Sequence, residues 1–236
     1  MNAPLSLVRA LADPGAPRVL TSAMLARLGG EPVSPRTHDR SIARLVAAGL
    51  LVRVQRGLFL NPLAQPPAVT DEAVPFLAPG AIVSLQRALG ACGVTNNPSR
   101  VVTAVVPIQP GLPPPSLGEI RTRCGVFRFH GIQSSVLFAG VPEDRLLDAS
   151  RRPIPGSVPY ATPEQALVDW IYLSTTPHGG LPPPPRGDVD VTLIDAARLA
   201  RLALAAGVEG AAARWLDSAR AAQADDWEDR MDRPAW

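Results

Sequence analysis

The chain has 236 residues, of which 46% are hydrophobic, and a formal net charge of +2, so it is long enough for two domains with apolar cores. No apolar run reaches the roughly 18 residues that would span a bilayer, and the N-terminus lacks a basic-then-apolar export signal, so a cytoplasmic location is expected. Two well-separated cysteines, Cys92 and Cys124, without CxxC spacing argue against a disulfide framework or a zinc site.

In chain order, Leu5, Leu7, Val8 and Leu11 predict a short amphipathic helix over residues 5–12, ahead of the Asp13-Pro14-Gly15 turn. Thr21 is placed to cap a helix over 22–28, which Gly29 and Gly30 end with a tight turn. Ser34, followed by Pro35 at the first helical position, opens a second helix running to about Ala48 and stopped by Gly49. Ile42, Leu45, Val46 and Leu50 recur at the spacing of a buried helical stripe. Residues 51–54 and 58–60 read as short strands joined by Gln55-Arg56-Gly57, a hairpin turn. The pattern is that of a winged helix-turn-helix over residues 1–62. Arg36, Arg40 and Arg44 recur every fourth residue along the second helix, with Thr37, His38 and Ser41 beside them, and Arg53 and Arg56 sit on the hairpin. An α-helix fits the DNA major groove, and arginine suits both guanine edges and phosphates. These eight residues are the DNA-binding candidates; for His38 a plain exposed histidine is an equal alternative.

Charge favours that reading over a merely solvated basic face. Residues 1–62 hold eight arginines against three acids, a formal +5, so the remainder of the chain carries −3. Basic character concentrated in one module is the electrostatic mark of nucleic-acid binding. All 23 basic residues are arginine, which we read as a compositional bias of the source genome. A module of this kind that contacts only protein is the alternative.

Residues 61–69, with Pro62, Pro66 and Pro67, read as a linker into a second domain over 70–222. A helix is expected over 70–77, interrupted by Pro75, then a strand over 81–83 and a helix over 85–92 capped by Ser84. Residues 101–106 form a β-branched run, hence a buried strand, and a proline-rich turn at 110–115 leads to a second strand over 125–130. A third strand is predicted over 136–141. Thr162, Pro163 and Glu164 open a largely apolar helix, followed by a loop at 178–188 with four consecutive prolines. Two helices, over 193–206 and 209–222, precede an acidic tail over 223–236 that is expected to fray. The fold class is therefore α+β: a winged helix-turn-helix followed by a larger mixed domain with a small sheet and C-terminal helices.

The chain contains no GxSxG, GxxxxGK[ST], HExxH or strand-linked GxGxxG motif. His38, His130 and His178 are scattered; Asp188 and Asp190 form only a lone DxD; Glu164 is explained as a first-turn cap, on a different face from Asp169. No catalytic residue, metal or cofactor is expected, and the chain is not read as an enzyme.

Three segments carry a family resemblance. GLFLNP (57–62), IVSLQRALGACGV (82–94) and YATPEQALVDWIYL (160–173) resemble corresponding segments of the AbiEi-type antitoxins of bacterial abortive-infection toxin–antitoxin systems. The resemblance runs from about residue 20 to residue 216. It implies a transcriptional autorepressor whose winged helix binds inverted repeats of double-stranded DNA in its own promoter. It also implies a C-terminal domain that assists repression and counteracts a nucleotidyltransferase-like toxin without requiring a stable complex. A protein-interaction module that binds a toxin directly, or an orphan regulator without a toxin, are the alternatives.

Overall fold

The computed structural model describes residues 3–30, 34–95, 97, 99–111, 117–148, 158–177 and 179–231, with side chains from residue 5 to residue 224. Most of the proline turn at 110–115, His178 and the side chains of the acidic tail after residue 224 lie outside the described residues; the tail's backbone is helical to Met231, past the helix end expected at 222.

The N-terminal module runs α1 (Ala3–Ala12), β1 (Val19–Thr21), α2 (Ser22–Leu28), α3 (Pro35–Ala47), β2 (Val52–Gln55) and β3 (Leu58–Leu60). The helix starts follow local chemistry: Thr21 accepts a hydrogen bond from the Met24 amide and Ser34 from the Thr37 amide, with Pro35 in the first turn. The three strands form an antiparallel sheet in the order β1-β3-β2. Its first strand, only three residues long, escapes a reading of the sequence. Side-chain alternation gives this sheet two buried faces. Leu20 and Phe59 pack with Leu7 and Leu11 of α1, Leu25 of α2, and Ile42 and Leu45 of α3. Val19, Val54, Leu58 and Leu60 face the other way and share a core with Val74, Val102, Phe127 and Tyr160 of the following region.

That region continues through α4 (Val74–Leu77), β4 (Ile82–Val83), α5 (Leu85–Ala91), β5 (Val101–Ile108), β6 (Gly118–Arg121) and β7 (Val126–Gln133). It is completed by α6 (Ser134–Leu137), α7 (Pro142–Arg145), α8 (Pro163–Thr175), α9 (Ala196–Ala205) and α10 (Glu209–Met231). The chain is α+β. Its second sheet has the order β4-β5-β7-β6, with β5 and β7 parallel and both outer pairs antiparallel. Val102, Ala104, Phe127 and Phe129 turn toward the N-terminal sheet, while Val105 and Ile132 turn toward α5 and α8. Helix α8 is the centre of the second core, with eight of its thirteen residues buried.

Several local expectations are corrected. Residues 134–137 are helical and 138–141 lie outside any strand, so the third strand predicted over 136–141 is absent; a run this short carries no decisive period. The added strand is instead β6, a polar edge strand. Ser84 does not cap α5: its Oγ donates to Asp169 Oδ2 at 2.5 Å, and Thr103 Oγ1 accepts the Arg87 amide at 3.1 Å in its place. Glu164 is more than a first-turn acid, because it is buried and accepts the Asp195 amide at 2.9 Å, tying α8 to the start of α9. The four consecutive prolines at 182–185 offer carbonyls without amide donors. Trp170 Nε1 donates to the Pro182 carbonyl at 2.9 Å and Trp215 Nε1 to that of Pro184 at 2.8 Å, so the loop is pinned at two points.

The segment read as a linker is fixed in place. Asn61 is fully buried; its Nδ2 donates to the carbonyls of Leu11 and Pro17, and its Oδ1 accepts the Leu63 amide. Next comes a 3-10 turn, Thr70–Ala73, bearing two adjacent buried acids. Glu72 receives a two-pronged contact from Arg18, at 2.7 Å from Nε and 2.7 Å from Nη2, and Arg18 Nη1 and Nη2 also donate to the carbonyls of Pro66 and Pro67. Asp71 receives Arg87 Nε at 2.8 Å and Nη2 at 2.6 Å, and the Tyr160 hydroxyl at 2.5 Å. Burial raises the Tyr160 phenol above its ordinary range, and the hydrogen bond to Asp71 raises Arg87, so the hydroxyl stays a donor and the guanidinium stays charged.

Arg87→Met leaves the buried Asp71 carboxylate with the Tyr160 hydroxyl alone among the described contacts, and urea unfolding should show a loss of about 3 kcal/mol. Asp169, whose burial lifts its carboxyl to about 6, gives a different signature. Between its unfolded value near 3.8 and 6 the native state holds a proton that the unfolded state has released, so this group's contribution to stability falls as pH rises through that window. The stability difference between wild type and Asp169→Asn should therefore change across pH 4–6 and level off above it, as read by thermal unfolding.

Candidate nucleic-acid interface

Helix α3 buries Ile42 and Leu45, with Val46 and His38 half-buried on the same side. At 100° per residue, the centre of the opposite face falls on Arg36, Arg40 and Arg44, which rise about 6 Å from one to the next. All three are exposed, as is Thr37, and no described carboxylate lies within ion-pair distance of them. Among the described residues the result is a slanted row of guanidinium groups without acidic partners, along one helix.

Ser22 holds this helix in register with the β2–β3 turn. Its amide donates to the Gly57 carbonyl at 3.0 Å, fixing the turn against the start of α2. Its own carbonyl lies 3.2 Å from His38 Nε2 and so takes a hydrogen bond from α3. One backbone unit thus joins the turn, α2 and α3. Gly57, at φ +79°, supplies the left-handed conformation that the turn requires. Arg56 is exposed beside it.

The structure divides the eight candidate residues. Arg36, Thr37, Arg40, Arg44 and Arg56 stand in solvent. His38 is half-buried and its Nε2 hydrogen-bonds the Ser22 carbonyl, so it is not the plain exposed histidine that is the alternative expected from the sequence. Ser41 is half-buried and its hydroxyl donates back to the Thr37 carbonyl at 3.0 Å. Arg53 lies directly across from Phe59 in the β2–β3 pairing, and its guanidinium sits 5.6 Å from that ring's centroid with Nε buried, so it is half-withdrawn from the hairpin surface. Sequence reasoning missed Ser22, whose part in the site runs through backbone atoms that no side-chain pattern reports.

Among the described residues no group of three or more His, Cys, Asp and Glu side chains is placed to hold a metal, and no helix is long and apolar enough to cross a membrane. Asp190 accepts the amide and hydroxyl of Thr192, a local turn rather than half of a metal pair.

No protein-family model and no curated protein matches the sequence. Among solved structures the chain is similar to the Rv2827c protein from Mycobacterium tuberculosis, at 19% identity and a TM-score of 0.58, over 93% of this chain and 78% of that one. This likeness extends the α+β arrangement to a second protein.

Since no described hydrogen bond or ion pair involves the side chains of the row on α3, Arg36→Ala, Arg40→Ala and Arg44→Ala should each change unfolding free energy by less than about 0.5 kcal/mol. His38→Ala removes the bond to Ser22 and should cost about 1 kcal/mol in the same urea titration.

Proposed function

We propose that the N-terminal module is a winged helix that binds double-stranded DNA, with α3 in the major groove and the β2–β3 turn on the backbone. The observation that carries this reading is the row Arg36, Arg40 and Arg44: three exposed arginines without described acidic partners, on the face of α3 opposite its buried stripe. The element order of helix, strand, helix, helix, strand and strand supports it, as does the exposed Arg56 at the turn. Arg40, at the middle of the row, is assigned to base edges and Arg56 to phosphate.

With the resemblance to AbiEi-type antitoxins, the reading becomes an autorepressor that binds inverted repeats in its own promoter, two protomers occupying the two half-sites. Its C-terminal domain then assists repression and opposes a nucleotidyltransferase-like toxin.

The division of labour is testable by fluorescence anisotropy on DNA from upstream of the gene. Arg40→Ala should lose about 1–3 kcal/mol on the specific duplex and little on a random one. Arg56→Ala should weaken both alike and reduce the slope of log K against log salt by about 1. Equal losses for both substitutions on every sequence would refute the assignment.

A further inference from the structure

A cavity of about 80 Å³ lies on the helix side of the second sheet, between α8 and the segment from α6 to Leu146. Its apolar wall is Ile82, Leu137, Phe138 and Leu146. Two residues of opposite charge also line it. Asp169, on α8, is buried, and its oxygens accept Ser84 Oγ at 2.5 Å and Gln165 Nε2 at 2.7 Å, which leaves the carboxylate with neutral partners only. Arg145, at the end of α7, lies with its guanidinium carbon 5.5 Å from the Phe138 ring centroid. Its Nη1 is buried and has no hydrogen-bond partner among the described residues.

No described ion pair joins Arg145 to Asp169, although both face the same space. A guanidinium with an unused donor is costly to bury, and so is a carboxylate without a cation. A simple anion entering the cavity would satisfy Arg145 and be repelled by Asp169; a simple cation would do the reverse. A ligand carrying both charges satisfies both walls at once. Its remaining body must be very short and apolar: at about half the 150 Å³ that takes a benzene molecule, the cavity is too small for a nucleotide, an aromatic amino acid or a branched side chain.

We propose that this cavity binds a small aliphatic α-amino acid, its carboxylate on Arg145, its ammonium on Asp169, and its side chain against Ile82 and Leu137. The site is independent of the DNA-binding reading, and its test uses no DNA.

The test is isothermal titration calorimetry of the full chain at neutral pH with glycine and L-alanine. Propionate and isobutylamine serve as single-charge probes, and L-tryptophan as a probe too large to enter. The expected result is saturable one-to-one binding of glycine or alanine, with propionate and isobutylamine at least about tenfold weaker for the loss of one charge-assisted contact and tryptophan excluded by its size. Arg145→Gln should weaken the amino acid by a similar factor while the protein remains folded, since the altered Nη1 has no described partner to lose. Leu146→Phe, which fills the cavity from a half-buried position, should abolish binding. Absence of saturable binding by either amino acid at millimolar concentration would overturn the proposal, as would propionate or isobutylamine binding as tightly as alanine.

Discussion

Two adjacent carboxylates, Asp71 and Glu72, decide how the two halves of this protein meet. Buried acids are costly unless each is met by a cation and by further hydrogen bonds. Here a single 3-10 turn presents them in different directions: Glu72 grips Arg18 just ahead of β1, and Asp71 grips Arg87 of α5 and the hydroxyl of Tyr160. The turn is a double clamp between the N-terminal module and the second sheet. The apolar cluster that joins Val19, Leu58 and Leu60 to Val102 and Phe127 depends on that placement, because a sheet buried on both faces needs a fixed partner on each. A proline-rich stretch that reads as an interdomain linker is, in consequence, wired from both ends.

The arginines fall into two populations with different work. Arg18, Arg87, Arg198 and Arg201 are committed to carboxylates inside the fold, and Arg53 is laid over Phe59. Arg36, Arg40, Arg44 and Arg56 are spent on nothing described within the protein. The module's formal +5 therefore overstates the charge it can offer a partner as a sum and understates how well that charge is ordered. Arg9 and Arg27 are exposed as well, but the part of the remaining charge that is ordered is the row on α3 and Arg56 at the neighbouring turn, both referenced to Ser22. A rigid, pre-ordered cationic surface loses little entropy on meeting a regular polyanion.

Much of this was legible in the sequence because it is local. The caps at Thr21, Ser34 and Thr162, each with a side-chain bond to the expected amide, announce helices within four residues. The apolar stripe of α3 and the arginines opposite it follow from period alone. The failures are equally physical. Strand β1 has three residues and β6 is a polar edge, so neither shows a period; residues 134–137 are too few to distinguish a helix from a strand. Ser84 looks like a cap because its place in the chain is that of a cap, yet Asp169, 85 residues away, claims its hydroxyl. The clamps at Asp71 and Glu72 and the bond from His38 to Ser22 join residues 16 to 89 positions apart, and such pairings are settled by tertiary geometry.

The proposed DNA binding uses one ordered basic face of a clamped module. Its most direct test is a fluorescence-anisotropy titration of the intact protein, at several salt concentrations, with the duplex upstream of its own gene and with a scrambled duplex of equal length. The expected result is a preference of about a thousandfold for the upstream duplex, with affinity for both falling as salt rises. Weak and equal binding to the two duplexes would contradict it.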